Sequence, residues 1–271
     1  MNENVQNLKK IAKDVFKQIL YNKFMAERTD ILKNGFKIMQ DSSAFCFGID
    51  AVLLADFVKL KNSKKGQQIF DLGCGNGILP LLLQGKIKRN QKNPTQFTGI
   101  EIQEQAVKLA QKSVTLNHLE DCIKIIHEDI KNITKDFKAQ SADIVISNPP
   151  YMTVEQSSKN STDEKTIARH EVFCNLEQIV QGATWLLKPN GSFYMIHRPY
   201  RLSEIFSAME KYHLTPRRLK IIYPKINMSP EMVLIEGRPN YKPDLKIEPP
   251  LIMYDEKNQY TSAMAEILDR Q

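Results

Sequence analysis

The chain has 271 residues, which is enough for one large core or for one domain with appendages. Its 42% hydrophobic and 25% charged residues are typical of a folded soluble protein, and no apolar run is long enough to span a bilayer. The N-terminus mixes lysines into its apolar positions and so lacks the apolar core of a signal peptide. These features argue against a membrane protein and predict a cytoplasmic one.

Basic residues outnumber acidic ones, 38 to 31, and give the chain a formal net charge of +7. A basic surface suits a polyanion such as nucleic acid, but it also suits a solvated face that only aids solubility. Charge alone leaves both interpretations open. The four cysteines lie far apart and form no CxxC pair, so the sequence predicts neither a disulfide framework nor a metal site.

The first sixty residues predict a helix, a strand and a second helix. Apolar residues recur at helical spacing over residues 4–27 and leave a lysine-rich outer face. Residues 35–40 are typical of a short strand. Residues 48–60 have a helical pattern, and Asp50 is expected to cap this helix.

From residue 67 onwards, strand-like and helix-like segments alternate. Strands are predicted at residues 67–73, 97–102, 123–130, 141–150, 192–199, 217–225 and 231–239. Helices are predicted at residues 76–84, 104–119, 176–191 and 202–214, the third ended by Gly191. Such alternation predicts an α/β fold with a doubly wound, mostly parallel, seven-stranded Rossmann-like sheet. The last two strands have no helix between them, which predicts an antiparallel hairpin at one edge.

This pattern divides the chain into three parts. Residues 1–30 hold the predicted basic amphipathic helix, residues 31–240 the α/β domain, and residues 241–271 a C-terminal extension. The extension begins with a proline-rich stretch, residues 242–254, which is expected to be an extended surface segment. A short helix near residues 262–269 is expected to follow it and to pack on the core.

Gly73, Gly75 and Gly77 lie on the turn between the first strand of the sheet and the next helix. Glycines let a backbone turn tightly and let a ligand approach its peptide groups. Dinucleotide sites use a related GxGxxG turn, but here the spacing is GxGxG and Asp71 stands two residues before the first glycine. An acid at that place repels a pyrophosphate and attracts an ammonium group. The loop therefore favours a cofactor with an amino acid end, such as S-adenosyl-L-methionine.

Polar residues also end the three strands that follow: Glu101, Asp129 and Asn148. Ligands of open α/β sheets bind beyond the carboxyl ends of the strands, where these residues fall together with Asp71. Glu101 is suited to accept both hydroxyls of a ribose, and Asp129 to accept a hydrogen bond from an adenine amino group. The glycine turn alone is a weaker signal, because any tight strand–helix turn produces it.

Four motifs, DLGCGNG, IEIQ, HEDI and SNPPY, resemble those of class I S-adenosylmethionine-dependent methyltransferases that act on amines. Longer segments, among them SSAFCFGIDAVLLADF and PDLKIEPPLIMYDEKNQYT, resemble the Gram-positive branch of the tRNA1(Val) adenine-37 N6-methyltransferase family. The resemblance covers roughly residues 27–270. It implies the methyltransferase fold, S-adenosyl-L-methionine as cofactor with S-adenosyl-L-homocysteine as product, and methylation of adenine N6 in RNA, in tRNA in particular.

The resemblance also assigns the cofactor site to residues of this chain. Phe45, Phe47 and Gly48 match the segment that closes over the methionyl part of the cofactor. The full cofactor-binding set that it implies is Phe47, Asp71, Gly73, Gly75, Asn76, Gly77, Glu101, Ile102, Asp129, Ile130 and Asn148.

The predicted catalytic loop consists of Asn148, Pro149, Pro150 and Tyr151. An exocyclic adenine amine is a poor nucleophile because its lone pair is delocalised into the ring. The side-chain carbonyl of Asn148 and the backbone carbonyl of Pro149 can each accept one amino hydrogen, which favours a pyramidal, reactive nitrogen. Pro150 stiffens the loop, and Tyr151 offers an aromatic face on which the base can stack. In isolation, the same four residues would be an ordinary proline turn with a packed tyrosine.

Three further residues are candidates for contact with the substrate. Arg169 and His170 follow a polar stretch, residues 153–166, that is predicted to be a mobile lid over a flipped-out base. Arg198 lies at the end of the next strand and faces the same mouth. With Tyr151 they form the predicted substrate-binding set, although local ion pairing at a helix start explains Arg169 and His170 equally well.

Other activities compete with RNA methylation. A protein glutamine methyltransferase uses the same NPPY motif, but such proteins usually carry a larger helical N-terminal domain. DNA adenine methylation is less favoured because no large target-recognition insert is visible. A non-catalytic RNA-binding protein with a structural cofactor site is also open, although the intact site residues argue against it. We expect no membrane or metal partner, and among oligomeric states a monomer is favoured.

Overall fold

A computed structural model describes residues 27–41, 47–61, 65–87, 95–151 and 175–270. The strands are β1 Glu27–Ile31, β2 Lys37–Asp41, β3 Gln68–Leu72, β4 Gln96–Glu101, β5 Ile123–His127, β6 Ala142–Ser147, β7 Leu187–His197, β8 Leu214–Tyr223, β9 Met232–Pro239, β10 Lys246–Ile247 and β11 Leu251–Ile252. The helices are α1 Ile49–Phe57, α2 Ile78–Lys86, α3 Glu104–Leu116, α4 Ile133–Asp136, α5 Leu176–Leu186, α6 Leu202–Lys211 and α7 Ser262–Asp269.

The central sheet has the strand order β10–β8–β9–β7–β6–β3–β4–β5, and β11 also pairs with β8. Strands β3 to β7 pair in parallel, whereas β9 is antiparallel to both β7 and β8. This confirms the predicted seven-stranded, mostly parallel sheet with an antiparallel hairpin at one edge. Two short strands, β10 and β11, extend that edge and run parallel to β8.

Helices cover both faces of the sheet because its central strands are apolar on both sides. In β6, Ile144 and Ile146 face one core while Val145 faces the other, as expected for side chains that alternate along a strand. Helices α1, α2, α3 and α7 contribute to the first core, and α4, α5 and α6 to the second. Two buried layers of this kind hold the strand ends rigidly at the edge where ligands of such sheets bind.

Helix α5 is shorter than its sequence predicts. It ends at Leu186, because Leu187 adopts an extended backbone conformation and begins β7. The prediction that Gly191 ends this helix is therefore wrong. Close approach favours a glycine at residue 191 instead, since a Cβ there would lie 3.0 Å from the backbone oxygen of Lys188 and 3.1 Å from that of Asp143.

An antiparallel hairpin of β1 and β2 precedes the sheet, and the sequence predicted only the second of its strands. Glu27, the last residue of the predicted N-terminal helix, begins β1 instead, and residues 28–30 continue that strand. The rest of the predicted helix lies outside the described residues. The hairpin packs on α3, where the backbone N–H of Met39 donates to Oγ of Ser113 over 2.9 Å.

The C-terminal extension packs on α1. The predicted helix is confirmed as α7, which contacts α1 and β11 through the buried side chains of Met264 and Ile267. The proline-rich stretch before it is not only a surface segment, because Leu251 and Met253 are 4% and 3% exposed within the first core. The division of the chain at residues 30 and 240 stays a prediction.

Cys74 and Cys122 are buried free thiols, whereas Cys46 and Cys174 lie outside the described residues. In the part of the chain that the structure describes, no helix is both long and apolar enough to cross a membrane. The described residues also contain no group of three or more His, Cys, Asp or Glu placed to hold a metal ion.

Candidate functional site

The predicted site residues meet at the carboxyl edge of the parallel strands. Asp71 lies on β3, Glu101 ends β4, and Asn148 directly follows β6. Because β3 pairs with both β4 and β6, these three residues lie at one edge of the sheet. The fold therefore gathers side chains from distant parts of the sequence around one region.

The glycine loop adopts a backbone that other residues rarely adopt. Gly73, Gly75 and Gly77 have φ angles of 73°, 54° and 81°, all in the left-handed region. A Cβ on Gly77 would lie 3.2 Å from the Cβ of Ala110 in α3, whereas one on Gly73 or Gly75 would meet nothing within 4 Å. Open space of this kind beside the peptide groups lets a ligand approach the loop closely.

Asp71 is a buried acid that has no hydrogen-bond partner among the described residues. It is 2% exposed, and neither carboxyl oxygen accepts a hydrogen bond from any described residue. Burial, and after it the nearby charge of Glu101, raise the pKa of Asp71 well above its usual value. Because an unpaired carboxylate is costly to bury, the site suits a ligand that brings a positive charge. The ammonium group of S-adenosyl-L-methionine fits this requirement.

Glu101 and Asp129 are held by backbone groups. The two oxygens of Glu101 accept the backbone N–H groups of Gly75 and Gln103, each over 2.9 Å, and so tie β4 to the glycine loop. Oδ1 of Asp129 accepts the backbone N–H of Lys131 over 2.9 Å and caps a 3-10 turn. Both carboxylates keep lone pairs for further bonds. Their roles at the ribose and the adenine stay predictions.

The other predicted cofactor residues surround the same edge. Asn76 donates through Nδ2 to the backbone oxygen of Met39 over 3.4 Å, and the backbone N–H of Phe47 donates to Gln40 over 3.2 Å. The glycine loop and the segment before α1 are thus both tied to β2. Ile102 is half-buried, and the side chain of Ile130 is buried in the second core.

The predicted catalytic loop contacts a residue that the sequence did not assign to the site. Nδ2 of Asn148 donates to Oδ2 of Asp50 over 3.1 Å, and the Tyr151 hydroxyl lies 2.6 Å from the same oxygen. The prediction that Asp50 caps a helix is wrong, because Gly48 is at the N-cap and Asp50 lies inside the first turn of α1. The available signal was an acid at the start of an otherwise apolar helix, whose partners are 98 and 101 residues away.

Tyr151 is enclosed on several sides. The Arg198 guanidinium lies 4.9 Å from the centre of the ring, His197 packs edge-on at 5.4 Å, and the Tyr200 hydroxyl donates to the Tyr151 backbone oxygen over 2.9 Å. Burial, and then Asp50, raise the pKa of Tyr151 well above its usual value, so its hydroxyl stays protonated. Arg198 also pairs with Glu231 over 3.0 Å.

The structure therefore places Arg198 against Tyr151 of the predicted catalytic loop. The two other predicted substrate residues, Arg169 and His170, lie outside the described residues, as do Phe45 and the predicted lid. Pro149 is buried and Pro150 half-buried beside Asn148, so this end of the loop is packed on the core.

Comparisons with known proteins point to one class of enzyme. The family model described as the methyltransferase small domain matches residues 35–215. The tRNA1(Val) (adenine(37)-N6)-methyltransferase of Haemophilus influenzae is 28% identical over 232 residues, which are 86% of this chain and 93% of that protein. The protein of the same name from Bacteroides fragilis is 27% identical over 201 residues, 74% of this chain and 80% of its own.

Solved structures show the same fold. A structure described as a "predicted O-methyltransferase" from Agrobacterium tumefaciens aligns with a TM-score of 0.63 at 19% identity, over 82% of this chain and 96% of its own. Geranyl diphosphate C-methyltransferase from Streptomyces coelicolor, in complex with S-adenosyl-L-homocysteine, aligns with a TM-score of 0.51 at 13% identity, over 69% of this chain and 78% of its own.

Proposed function

The chain belongs to the methyltransferase small domain family, and from this premise we propose that it methylates the N6 amine of an adenine in tRNA with S-adenosyl-L-methionine. The observation that carries the proposal is the position of Asn148, at the end of β6 and beside the strand that holds Asp71, which has no hydrogen-bond partner in the described part of the chain. The two relatives described above are named for adenine 37 of tRNA1(Val). Membership of a Gram-positive branch stays a prediction.

Asp71 and the glycine loop hold the methionine end of the cofactor in this proposal. Asp71 would accept hydrogen bonds from the ammonium group of the cofactor. That group would be the positively charged partner that the buried carboxylate does not have among the described residues. Glu101 accepts from the ribose hydroxyls and Asp129 from the adenine amine. Phe47, Asn76, Ile102 and Ile130 complete the cradle. When bound, S-adenosyl-L-methionine supplies a methyl group on a positively charged sulfur, open to attack by nitrogen.

Asn148 and Pro149 act on the target amine. Oδ1 of Asn148 and the backbone oxygen of Pro149 each accept one amine hydrogen and draw the lone pair out of conjugation with the ring. Their attraction grows as positive charge develops on the nitrogen, so they stabilise the transition state more than the ground state. The two prolines restrict the backbone and keep the accepting carbonyl in place. After methyl transfer the nitrogen is positively charged and acidic, and it loses one proton to water to give the product amine.

Tyr151 and Arg198 contact the substrate at the mouth of the site, with Arg169 and His170 as further contacts. Because Arg198 already covers part of the Tyr151 ring, a base stacks on the remaining surface. Not every basic residue is available to RNA. Arg218 is 13% exposed at its side chain and is paired with Glu236 and Glu248, so it serves the fold. The expectations of a cytoplasmic location and of a monomer stay predictions.

The test is transfer of a labelled methyl group from S-adenosyl-L-methionine to bulk tRNA, total protein and DNA. We expect label in tRNA, and mass analysis of its nucleosides should find N6-methyladenosine. Label on protein alone would favour glutamine methylation and refute the proposal. RNA binding without any transfer would favour a non-catalytic binding protein.

An Asn148→Ala variant tests the assigned site. We expect its kcat to fall about 10²–10³-fold, because one preorganised partner of the transition state is lost. Its affinity for S-adenosyl-L-homocysteine, measured by calorimetry, should stay close to that of the wild type, since Asp71 and the glycine loop are unchanged. Asn190→Ala is the matched control, because Asn190 is exposed near the start of β7, at the edge of the sheet opposite to Asn148. Near-normal turnover by Asn148→Ala would contradict the role assigned to this residue.

A further inference from the structure

Asp50 connects α1 to the predicted catalytic loop through Oδ2, while its Oδ1 is held by the backbone of α1. Oδ2 lies 3.1 Å from Nδ2 of Asn148 and 2.6 Å from the hydroxyl of Tyr151. Oδ1 accepts the backbone N–H of Ala51 over 2.9 Å, which fixes the plane of the carboxylate. Asp50 is 7% exposed, so water competes little for these bonds.

Space for this carboxylate is provided by the residue just before the helix. A Cβ on Gly48 would lie 2.9 Å from Oδ1 of Asp50, closer than real Cβ atoms approach an oxygen. The φ of Gly48 is −112°, which any residue can adopt, so the glycine is explained by this close approach and not by its backbone conformation. The start of α1 is thus shaped around the Asp50 side chain.

The carboxylate determines which way the Asn148 amide faces. An ionised carboxylate can only accept hydrogen bonds, so the amide must turn Nδ2 and not Oδ1 towards Asp50. Oδ1 is the oxygen that the target amine needs in the proposed reaction. Asp50 therefore selects the amide orientation in which Oδ1 is directed away from its own carboxylate.

The Tyr151 hydroxyl has two acceptors within reach but only one proton to donate. It lies 2.6 Å from Oδ2 of Asp50 and 2.7 Å from Oδ1 of Asn148. A hydroxyl that donates to Asn148 would compete with the target amine for the same oxygen. Asp50 offers the alternative, and its negative charge makes it the stronger acceptor.

We propose that Asp50 is a positioning residue for methyl transfer. It holds the Asn148 amide in the reactive orientation and accepts the Tyr151 hydroxyl, which leaves Oδ1 of Asn148 to the target amine. This inference rests on the proposed function and deepens it. Asp50 itself touches neither the amine nor the methyl group, and it exchanges no proton in the reaction.

Asp50→Asn is a sharp probe because both carboxylate oxygens accept hydrogen bonds. An amide of the same shape must turn its NH2 group either to the Ala51 N–H or to Nδ2 of Asn148, and both are donors. The Ala51 N–H is a fixed backbone group, so the NH2 group faces Asn148 and Tyr151. The Asn148 amide then turns over so that Oδ1 accepts from residue 50, which takes this oxygen away from the target amine.

The experiment measures kcat and KM for an unmodified tRNA transcript, and the affinity for S-adenosyl-L-homocysteine, in wild type, Asp50→Asn, Tyr151→Phe and the double variant. We expect Asp50→Asn to lower kcat about 100-fold, as for the loss of one preorganised group, with cofactor affinity and KM nearly unchanged. Removing the hydroxyl should not turn the Asn148 amide back, so the double variant should be no faster than Asp50→Asn.

Asp56→Asn is the matched control, because Asp56 lies near the other end of α1 and pairs with Arg270 and Lys86. It should keep the wild-type kcat. Thermal unfolding of each variant separates loss of function from loss of fold.

Three results would overturn the inference: a wild-type kcat for Asp50→Asn, a double variant that recovers the wild-type kcat, or a loss of cofactor affinity that accounts for the loss of rate. The last result would make Asp50 a cofactor ligand. A wild-type protein that methylates no adenine in tRNA would overturn the proposed function and this inference with it. An active wild type combined with any of the three results overturns this inference alone.

Discussion

Two buried acids at the same site differ in what they contact. Asp50 accepts hydrogen bonds from Ala51 and Asn148 and reaches the Tyr151 hydroxyl, so its charge is satisfied by the protein itself. Asp71 has no such donor among the described residues. An unpaired buried carboxylate destabilises a fold, and a cationic ligand reverses that cost when it binds. We infer that Asp71 destabilises the protein without cofactor and increases its affinity for the cofactor.

This difference predicts that Asp71→Asn stabilises the protein while weakening the cofactor complex. Replacing the carboxylate by a neutral amide of the same shape removes a buried charge that faces Glu101. The free energy of unfolding without cofactor should rise by about 1–3 kcal/mol at neutral pH. Affinity for S-adenosyl-L-homocysteine should fall by about 1.5–3 kcal/mol, the value of a hydrogen bond to a charged group. Urea denaturation and calorimetry measure the two changes.

The pH dependence of this gain has a definite sign. Because the pKa of Asp71 is raised in the folded state, the group stabilises the fold fully below its unfolded pKa, about 3.9. That contribution is lost as pH rises through the folded pKa, so the advantage of Asp71→Asn should grow with pH. Asp143→Asn is the control, since its carboxylate accepts from Lys188 and Gln68 over 2.9 Å and its loss should not stabilise. A destabilised Asp71→Asn protein would contradict the prediction.

Among the helices and strands, the hydrophobic periodicity of the sequence predicts those elements that local interactions determine. The alternation of strands and helices is a property of periodicity, and the central sheet and α7 followed from it. The end of α5 did not, because Gly191 is explained by contacts with β6 and β7 and not by helix capping. Strand β1 lacks a strong apolar pattern, because its residues are exposed or half-buried, whereas β2 packs closely on α3.

The residues of the site were likewise predictable only in part. Strand ends in a parallel sheet converge by topology, so Asp71, Glu101 and Asn148 could be placed together from the sequence. Asp50 could not, because its partners are about a hundred residues away and its position resembles that of a helix cap. An aspartate at the start of a helix can cap the helix or lie in its first turn and bind a distant segment. Only tertiary contacts decide between these two roles.

The packing of α7 on α1 gives a testable consequence for this element. Met264 is 0% exposed and lies in the first core, which α1 and α7 share. Met264→Ala should lower the free energy of unfolding by about 2–5 kcal/mol, as expected for a large-to-small change in a core. Hydrogen exchange of the α1 amides should quicken as well, because α7 covers that helix. Glu266→Ala, on the exposed side of α7, is the control and should change both measurements little.

For the molecule as a whole, buried ionisable groups and net charge determine how stability depends on pH. The formal charge of +7 increases as carboxylates and histidines gain protons, so acid adds repulsion. His197 adds a specific term. It is 1% exposed behind Tyr151, and burial, followed by the charge of Arg201, lowers its pKa to about 3. Glu204 opposes this shift in part, while Arg198 adds to it.

We therefore predict that His197 weakens the fold in mild acid. The unfolded chain takes up its proton near pH 6.5 and the folded protein only near pH 3, so unfolding binds protons between these values. The stability that the neutral imidazole contributes is complete above pH 6.5 and is lost as pH falls. Lowering the pH from 8 to 5 should cost about 2 kcal/mol through this group alone.

His197→Gln removes the titrating ring and should flatten the pH dependence by that amount, whatever its effect on absolute stability. Urea denaturation at pH 5, 6, 7 and 8 measures the difference between the two proteins, in which the contributions of all other groups cancel. Asn190→Ala replaces an exposed residue that does not titrate and should leave the slope unchanged. Parallel pH profiles for wild type and His197→Gln would mean that the imidazole takes up its proton in the folded protein near pH 6.5, as in the unfolded chain, and is charged within the fold at pH 5. In that case its edge-on packing against Tyr151 could not be that of a neutral ring.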